Sequence, residues 1–185
     1  ARDCEDIEQL RIVIKNRVRG FKMSEYKMIV LDLDGTLTNR NKEITPKTKE
    51  TLMKAQEQGK IVVLASGRPT YGVMPLAEEL HLEDYGGYIL SFNGGIIMNC
   101  KTKEVVFSRQ IPAESNGKII DLAQENNVSI LTYENRTLLT NCPEDQYVQL
   151  ESRINILKII SMTTEELKAY VTFSVPKFLM TDDGD

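Results

Sequence analysis

Three short apolar runs, separated by helical patterns, constrain the fold of this chain more strongly than any other feature. The runs occupy residues 28–31, 61–65 and 88–92. Between the first two, Thr45 supplies a capping hydroxyl and Pro46 suits the first turn of a helix, which Gly59 would end. A second helix is expected over residues 70–82. Apolar strands buried on both faces and alternating with helices predict an α/β fold with a parallel sheet and right-handed crossovers.

The pattern changes after Gly95, where short paired strands replace the alternation of strand and helix. We expect two hairpins, three helices and one late strand: 96–99 with 104–108, 128–133 with 137–140, helices over 114–126, 144–152 and 164–170, and a strand at 177–180. We therefore place a domain boundary at residues 94–95. The parallel sheet then occupies residues 23–94, and an α+β segment occupies residues 95–185.

Residues 1–22 form a separate N-terminal extension in this interpretation. Apart from Arg2, their acidic residues precede the basic ones. Apolar residues recur every three or four positions, as in an amphipathic helix; these are Ile7, Leu10, Ile14, Val18 and Phe21. The helix would dock on a partner or on the body of the protein, or else be a simple upstream extension. The second interpretation is favoured, because Met23-Ser24-Glu25 resembles a natural start.

Composition and charge argue against several classes of function. The 185-residue chain has a net charge of −4 and a pI near 5.2, which argues against a nucleic-acid or anionic-membrane partner. The cysteines, Cys4, Cys100 and Cys142, lie far apart, and His81 is the one histidine. This pattern disfavours a zinc site or a disulfide framework and is typical of free thiols in a reducing cytoplasm. No apolar run approaches the roughly 20 residues that span a bilayer.

The chemistry is concentrated in Asp32-Leu33-Asp34-Gly35-Thr36, which directly follows the first apolar run. Residues two apart in an extended chain point the same way, so both carboxylates face one site at the carboxyl end of the strand. Gly35 permits a sharp turn that brings backbone amides close to an anion. Two carboxylates that face one site repel each other and repel a phosphate, so a divalent cation is expected there. Oxygen ligands favour magnesium. An acidic turn that merely caps a buried strand is the alternative.

Three segments resemble the haloacid dehalogenase superfamily. Residues 29–37 resemble its first motif, and residues 64–69 its second motif in the form found in Cof-like sugar-phosphate phosphatases. Residues 92–95 resemble the junction from core to cap in that subfamily. The resemblance implies a Rossmann-like parallel core and, over residues 95–185, part of an α/β cap that closes over the site and selects the substrate.

The resemblance also implies roles for individual residues. Asp32 would be the nucleophile and a magnesium ligand, and Asp34 the acid/base, with its backbone carbonyl also reaching the metal. The implied phosphate- and substrate-binding residues are Gly35, Thr36, Ser66, Gly67, Arg68 and Asn93. Two alternatives stay open: Ser66 as a helix cap, and Arg68 as a member of a surface ion pair.

The family has two further motifs after the cap, a lysine and a set of metal-binding acids. Lys158-Ile159-Ile160 lacks the surroundings of the lysine motif, and residues 176–180 are interpreted as a cap strand rather than the approach to the metal motif. We therefore expect a truncated member, with its first strand at an open, apolar sheet edge. A homo-oligomer could form through that edge or through residues 1–22.

The function expected from the resemblance is magnesium-dependent hydrolysis of small phosphorylated metabolites, such as sugar phosphates, through an aspartyl-phosphate. One alternative is a half-site that binds phosphate or a partner chain without turnover. Another is a phosphomutase that uses the same chemistry and passes the phosphoryl group to a sugar.

Overall fold

The computed structural model of the chain describes residues 26–182, and the predicted helix at 1–22 lies outside them. The described residues form two sheets. The first contains five strands in the order β1-β2-β3-β4-β5, and the second four strands in the order β8-β7-β6-β9. No helix within residues 26–182 is long and apolar enough to cross a membrane.

The first sheet carries the predicted strand–helix–strand alternation. Its elements are β1 Met28–Asp32, α1 Pro46–Glu57, β2 Ile61–Ala65, α2 Thr70–Glu79, α3 Leu82–Tyr85, β3 Tyr88–Ser91, β4 Ile96–Asn99 and β5 Val105–Ser108. Strands β1, β2 and β3 pair in parallel, which confirms the α/β prediction. Strands β4 and β5 form the predicted hairpin and extend the same sheet antiparallel to β3.

The second sheet contains the remaining strands. Its elements are α4 Ala113–Glu125, β6 Ser129–Glu134, β7 Thr137–Thr140, α5 Gln146–Asn155, β8 Lys158–Ser161, α6 Thr164–Tyr170 and β9 Phe178–Thr181. The hairpin of β6 and β7 is confirmed. Strand β9 pairs with β6, which confirms the interpretation of residues 176–180 as a strand of this second segment. Strand β8, parallel to β7, was not predicted.

Side-chain caps explain where several helices begin. Thr45 accepts a hydrogen bond at Oγ1 from the Thr48 amide, and Pro46 occupies the first turn of α1, as predicted. Thr163 and Glu166 form a reciprocal capping box at the start of α6. Such caps satisfy amides that have no partner within the helix, so they fix each helix start locally.

Strand β1 differs from the prediction in its burial. Residues 28–31 were expected to be buried on both faces, but Val30 is 55% exposed and Met28 is 49% exposed. That prediction was wrong because β1 has one neighbour, β2, and lies at the edge of the described sheet. The predicted open, apolar edge is therefore confirmed. Self-association through this edge or through residues 1–22 stays a prediction.

The two sheets contact each other directly. One apolar cluster combines Phe92 of the first segment with Leu131, Tyr133 and other residues of the second. A methyl group added at Gly72 of α2 would lie 2.0 Å from Oδ1 of Asn155 at the end of α5. The glycine thus lets these two helices approach closely.

The connection from the first sheet to the second passes through Ile111. Ile111 and Val175 exchange two backbone hydrogen bonds, of 2.8 and 3.2 Å, in an isolated bridge just before β9. The predicted domain boundary at residues 94–95 stays a prediction, but the change from one sheet to the other falls between Ser108 and Ser129.

Candidate functional site

Strand β1 delivers two carboxylates to the carboxyl edge of the first sheet. Asp32 and Asp34 are exposed, whereas Leu33 between them is fully buried. The turn that follows is held by the Leu37 amide, which donates to the Asp32 carbonyl at 3.1 Å, and by the Thr38 amide, which donates to the Leu33 carbonyl at 2.9 Å. The buried Leu33 therefore sets the alternation that leaves both carboxylates on the surface.

Gly35 and Thr36 complete this turn. Gly35 has φ of +84°, a left-handed conformation that favours glycine, so the sharp turn expected there is present. Thr36 is exposed, and its amide donates to the Leu33 carbonyl at 3.3 Å. Both residues are exposed beside Asp34.

Two cations hold the carboxylate of Asp34. Arg68 donates from Nε to Oδ2 at 3.0 Å and from Nη2 to Oδ1 at 2.6 Å, while Nζ of Lys42 lies 2.8 Å from Oδ1. Burial by itself would raise the pKa of Asp34, but the hydrogen bonds and charges of Arg68 and Lys42 outweigh it and hold the pKa below its usual range. The carboxyl of Asp34 is therefore ionised in this arrangement.

Two roles were expected for Arg68, a substrate contact or membership of a surface ion pair. The side chain of Arg68 is 12% exposed and forms a bidentate ion pair with the partly exposed Asp34, so the structure shows the ion pair of the alternative interpretation, and the substrate contact stays a prediction. The ion pair joins the turn after β1 to the loop after β2.

The loop after β2 is fixed against residues 92 and 93. The Asn93 amide donates to the Ser66 carbonyl at 3.1 Å, and the Phe92 amide donates to the Arg68 carbonyl at 2.9 Å. Asn93 adopts a left-handed conformation, with φ of 58°, and its side-chain Oδ1 lies so close to Gly67 that an added Cβ would meet it at 2.7 Å. Ser66, Gly67, Arg68 and Asn93 are therefore brought together.

Ser66 does not cap α2. Its Oγ accepts the Arg68 amide at 3.1 Å, and the residue before α2 is Pro69, which makes no side-chain cap. The hydroxyl of Ser66 thus shapes the loop rather than the helix start.

Two lysines of the site were missed from the sequence. Lys42 lies in the polar loop eight residues after Asp34, and a cation close behind an acidic motif is the signal that could have found it. Lys177 comes from the second segment and donates from Nζ to the Gly67 carbonyl at 3.2 Å. No local pattern connects residues 110 positions apart, so the sequence held no signal for that contact.

A magnesium ion at this edge of the sheet would need oxygen ligands from the residues described above. Within residues 26–182 no group of three or more histidine, cysteine or acidic side chains is placed to hold a metal. Magnesium is commonly held by one or two carboxylates together with waters and substrate phosphate, so a larger protein cage is not required. No side chain among the described residues donates to the carboxylate of Asp32, which leaves both of its oxygens available. The residues present therefore fit magnesium through Asp32, while the carboxylate of Asp34 is engaged by cations.

The remaining thiols are not part of this site. Cys100 is buried and free, and burial raises its pKa to about 11. Cys142 is also free and lies at the end of the second hairpin.

Comparisons with known proteins agree with the fold and with the motifs. Residues 29–184 match the model of a family described as haloacid dehalogenase-like hydrolase. A crystal structure of a haloacid dehalogenase-like hydrolase from Bacteroides thetaiotaomicron is 45% identical, with a TM-score of 0.78 over 86% of this chain and 59% of that chain.

Two proteins of Bacillus subtilis are also similar. YxeH is 28% identical over 158 residues, which is 85% of this chain and 58% of YxeH. The 5-amino-6-(5-phospho-D-ribitylamino)uracil phosphatase YwtE is 32% identical over 133 residues, which is 71% of this chain and 43% of YwtE. The chain thus spans about three-fifths, or less, of the length of these relatives.

Proposed function

Because this chain belongs to the family of haloacid dehalogenase-like hydrolases, we propose that it carries the nucleophile side of a magnesium-dependent phosphatase active site. The observation that carries the proposal is the meeting of Asp32 and Asp34 with the loop of Ser66, Gly67 and Arg68 at one edge of the sheet. Asp32 pairs in register with Ala65, so the loop begins directly beside the nucleophile.

The roles follow from the partners of each group. Asp32 has an uncommitted carboxylate, so one of its oxygens attacks phosphorus and the ester oxygen departs, leaving an aspartyl-phosphate. Asp34 gives a proton to the departing oxygen, and later takes one from the water that attacks the aspartyl-phosphate. Ser66, the Gly67 amide and Asn93 hold the phosphoryl oxygens, and Gly35 and Thr36 border them.

Arg68 and Lys42 determine when Asp34 can act as an acid. While both cations bind its carboxylate, the pKa of Asp34 stays low and the group carries no proton. A substrate phosphate competes for Arg68, since a guanidinium also binds phosphate through paired hydrogen bonds. Loss of Arg68 to the substrate would raise the pKa of Asp34 towards the value that proton donation requires.

Magnesium would be held by the carboxylate of Asp32 and by the backbone carbonyl of Asp34, with waters and substrate oxygens in the other positions. When bound, it neutralises charge on the phosphoryl group and on Asp32.

The substrate class proposed is a small phosphorylated metabolite, such as a sugar phosphate. The name of YwtE specifies a phosphorylated ribityl compound, which is a substrate of this class. The free thiols of Cys100 and Cys142 are consistent with a reducing cytoplasm.

A half-site that binds phosphate without turnover is the second candidate. The observation that favours it is the double pairing of Asp34, which leaves the proposed acid ionised in this conformation.

The test is magnesium-dependent phosphate release by the 185-residue chain from a panel of sugar phosphates. Asp32→Asn should lower release on the order of 10³-fold or more, as removal of a nucleophile does. Asp84→Asn is the matched control, because Asp84 is an exposed residue that pairs with His81 away from the site. Equal release by wild type and Asp32→Asn would refute the assignment of the nucleophile. Phosphate binding without release would favour the half-site.

A further inference from the structure

Lys177 is the one cation that the second segment places on the proposed phosphate loop among the described residues. It lies immediately before β9, and its Nζ donates to the Gly67 carbonyl at 3.2 Å. The same Nζ lies 5.9 Å from the centre of the Tyr133 ring, where the ring face attracts a positive charge. Two contacts from different segments therefore fix the half-buried side chain in this position.

The charge of Lys177 is not balanced by an acid. Arg68 and Lys42 both pair with Asp34, whereas no carboxylate within residues 26–182 lies within 4.0 Å of Nζ of Lys177. An ammonium has three N–H donors, and the Gly67 carbonyl accepts one of them. Two donors and a full positive charge are thus available to a ligand.

The position of Gly67 indicates what that ligand is. Its carbonyl and its amide belong to the same residue, so an anion on the amide lies at most roughly 10 Å from the ammonium. Ser66, Arg68 and Asn93 surround the same residue. Resting on the function proposed above, we propose that Lys177 is a substrate-binding residue whose ammonium contacts the phosphoryl group from the side of the second sheet.

This contact makes phosphate a ligand of both segments. The first sheet supplies the loop of Ser66 and Gly67, and the second supplies the ammonium. A bound phosphoryl group therefore favours the arrangement in which the two sheets lie together, because only there do both sets of donors reach it.

The experiment measures binding of inorganic phosphate, in the presence of magnesium, to the full 185-residue chain by titration calorimetry. Lys177→Met keeps the apolar stem and removes the charge. We expect the dissociation constant to rise roughly ten-fold or more, which is the effect of losing a hydrogen bond from a charged donor. Lys177→Arg restores a charged donor and should recover most of the affinity. Lys118→Met, an exposed lysine of α4, is the matched control and should bind as wild type.

The outcomes separate this inference from the proposed function. If Ser66→Ala weakens phosphate binding while Lys177→Met binds as tightly as wild type, the site stands and the role of Lys177 is overturned. If neither Ser66→Ala nor Asp32→Asn changes the affinity, or if wild type binds no phosphate, the proposed site itself fails and the inference with it. Thermal unfolding of Lys177→Met, expected to match that of wild type, shows that lost affinity is not lost folding. If turnover is measurable, Lys177→Met should raise KM more than it lowers kcat.

Discussion

Val30 of β1 and Val63 of β2 are direct register partners, yet Val30 is 55% exposed and Val63 is 2% exposed. Both belong to five-residue strands of similar apolar sequence. Strand β2 is flanked by β1 and β3, whereas β1 has one neighbour among the described strands. Burial in this sheet is thus determined by the position of the strand rather than by its residue types.

The carboxyl ends of the same two strands differ in chemistry. Strand β1 continues into Asp34, and β2 continues into Ser66 and Arg68, which pairs with Asp34. The well-buried strand presents the donors, and the exposed strand presents the acids. Stability is therefore expected to depend mainly on β2, while the carboxylates proposed to be catalytic follow a strand that contributes less to it.

Leu64→Ala in β2 and Leu31→Ala in β1 should differ most clearly in their effect on stability. The two leucines are register partners; Leu64 is fully buried and Leu31 is partly buried against the same cluster. Loss of the buried leucine should lower the free energy of unfolding by roughly 2–5 kcal/mol. The loss at Leu31 should be clearly smaller, as measured by urea unfolding of both variants. Equal losses would show that β1 contributes as much to stability as β2.

Gly72→Ala tests the contact that α2, the helix that follows β2, makes with the second segment. The added methyl would clash with Oδ1 of the buried Asn155, so either that side chain must turn away or α2 and α5 must separate. We expect a loss of about 1–3 kcal/mol in the free energy of unfolding, typical of overpacking. Gly117→Ala is the control, since its new methyl meets only the flexible stem of Lys168 at 3.3 Å. A chain that tolerates Gly72→Ala as well as Gly117→Ala would contradict the close contact.

The ion pair between the two strand ends predicts a dependence on pH. The folded-state pKa of Asp34 is lowered, so its contribution to stability is present above the ordinary value of 3.8 and is lost as pH falls through the lower folded value. The effect is small, because the pair is partly exposed to solvent. The difference in unfolding free energy between wild type and Asp34→Asn, measured from pH 7 to pH 3, should shrink towards the acid end. An unchanged difference would exclude the ion pair as its source.

The smallest expected effect is that of Val30→Thr. A hydroxyl at this exposed position remains in water, so the free energy of unfolding should change by less than about 0.5 kcal/mol. The same change at Val63 buries the hydroxyl and should cost roughly 1–3 kcal/mol unless it finds an acceptor. Thermal melts of the pair suffice, and a large effect at Val30 would mean that a partner covers β1 in solution.

Local patterns predicted most of the fold. The three parallel strands, both hairpins, five of the six helices in residues 26–182 and the late strand follow from periodicity and from caps such as Thr45 and Pro46, whereas the predicted helix over 70–82 ends at Glu79 and the short helix Leu82–Tyr85 was not predicted. Strand β8 was missed because Lys158–Ser161 is only four residues long and directly follows a helix. The burial of β1 was predicted incorrectly because exposure depends on which strands lie alongside, and a local apolar run carries no such information.

The grouping of the candidate site residues was predicted in part, and their roles stay proposals. Asp32, Asp34 and Ser66–Arg68 were proposed because each group lies at or just after the end of a strand, where α/β sheets collect polar residues. The pairing of Arg68 with Asp34 and the approach of Lys177 to Gly67 join residues 34 and 110 positions apart. Such contacts arise only from the packed fold.

The bridge of Ile111 and Val175 has a mechanical consequence for Lys177. The lysine lies two residues beyond the bridge, roughly 7 Å along an extended chain, whereas β8 lies three strands from β9, roughly 14 Å across the sheet. If the second sheet turned about this bridge, the backbone of Lys177 would therefore move about half as far as β8.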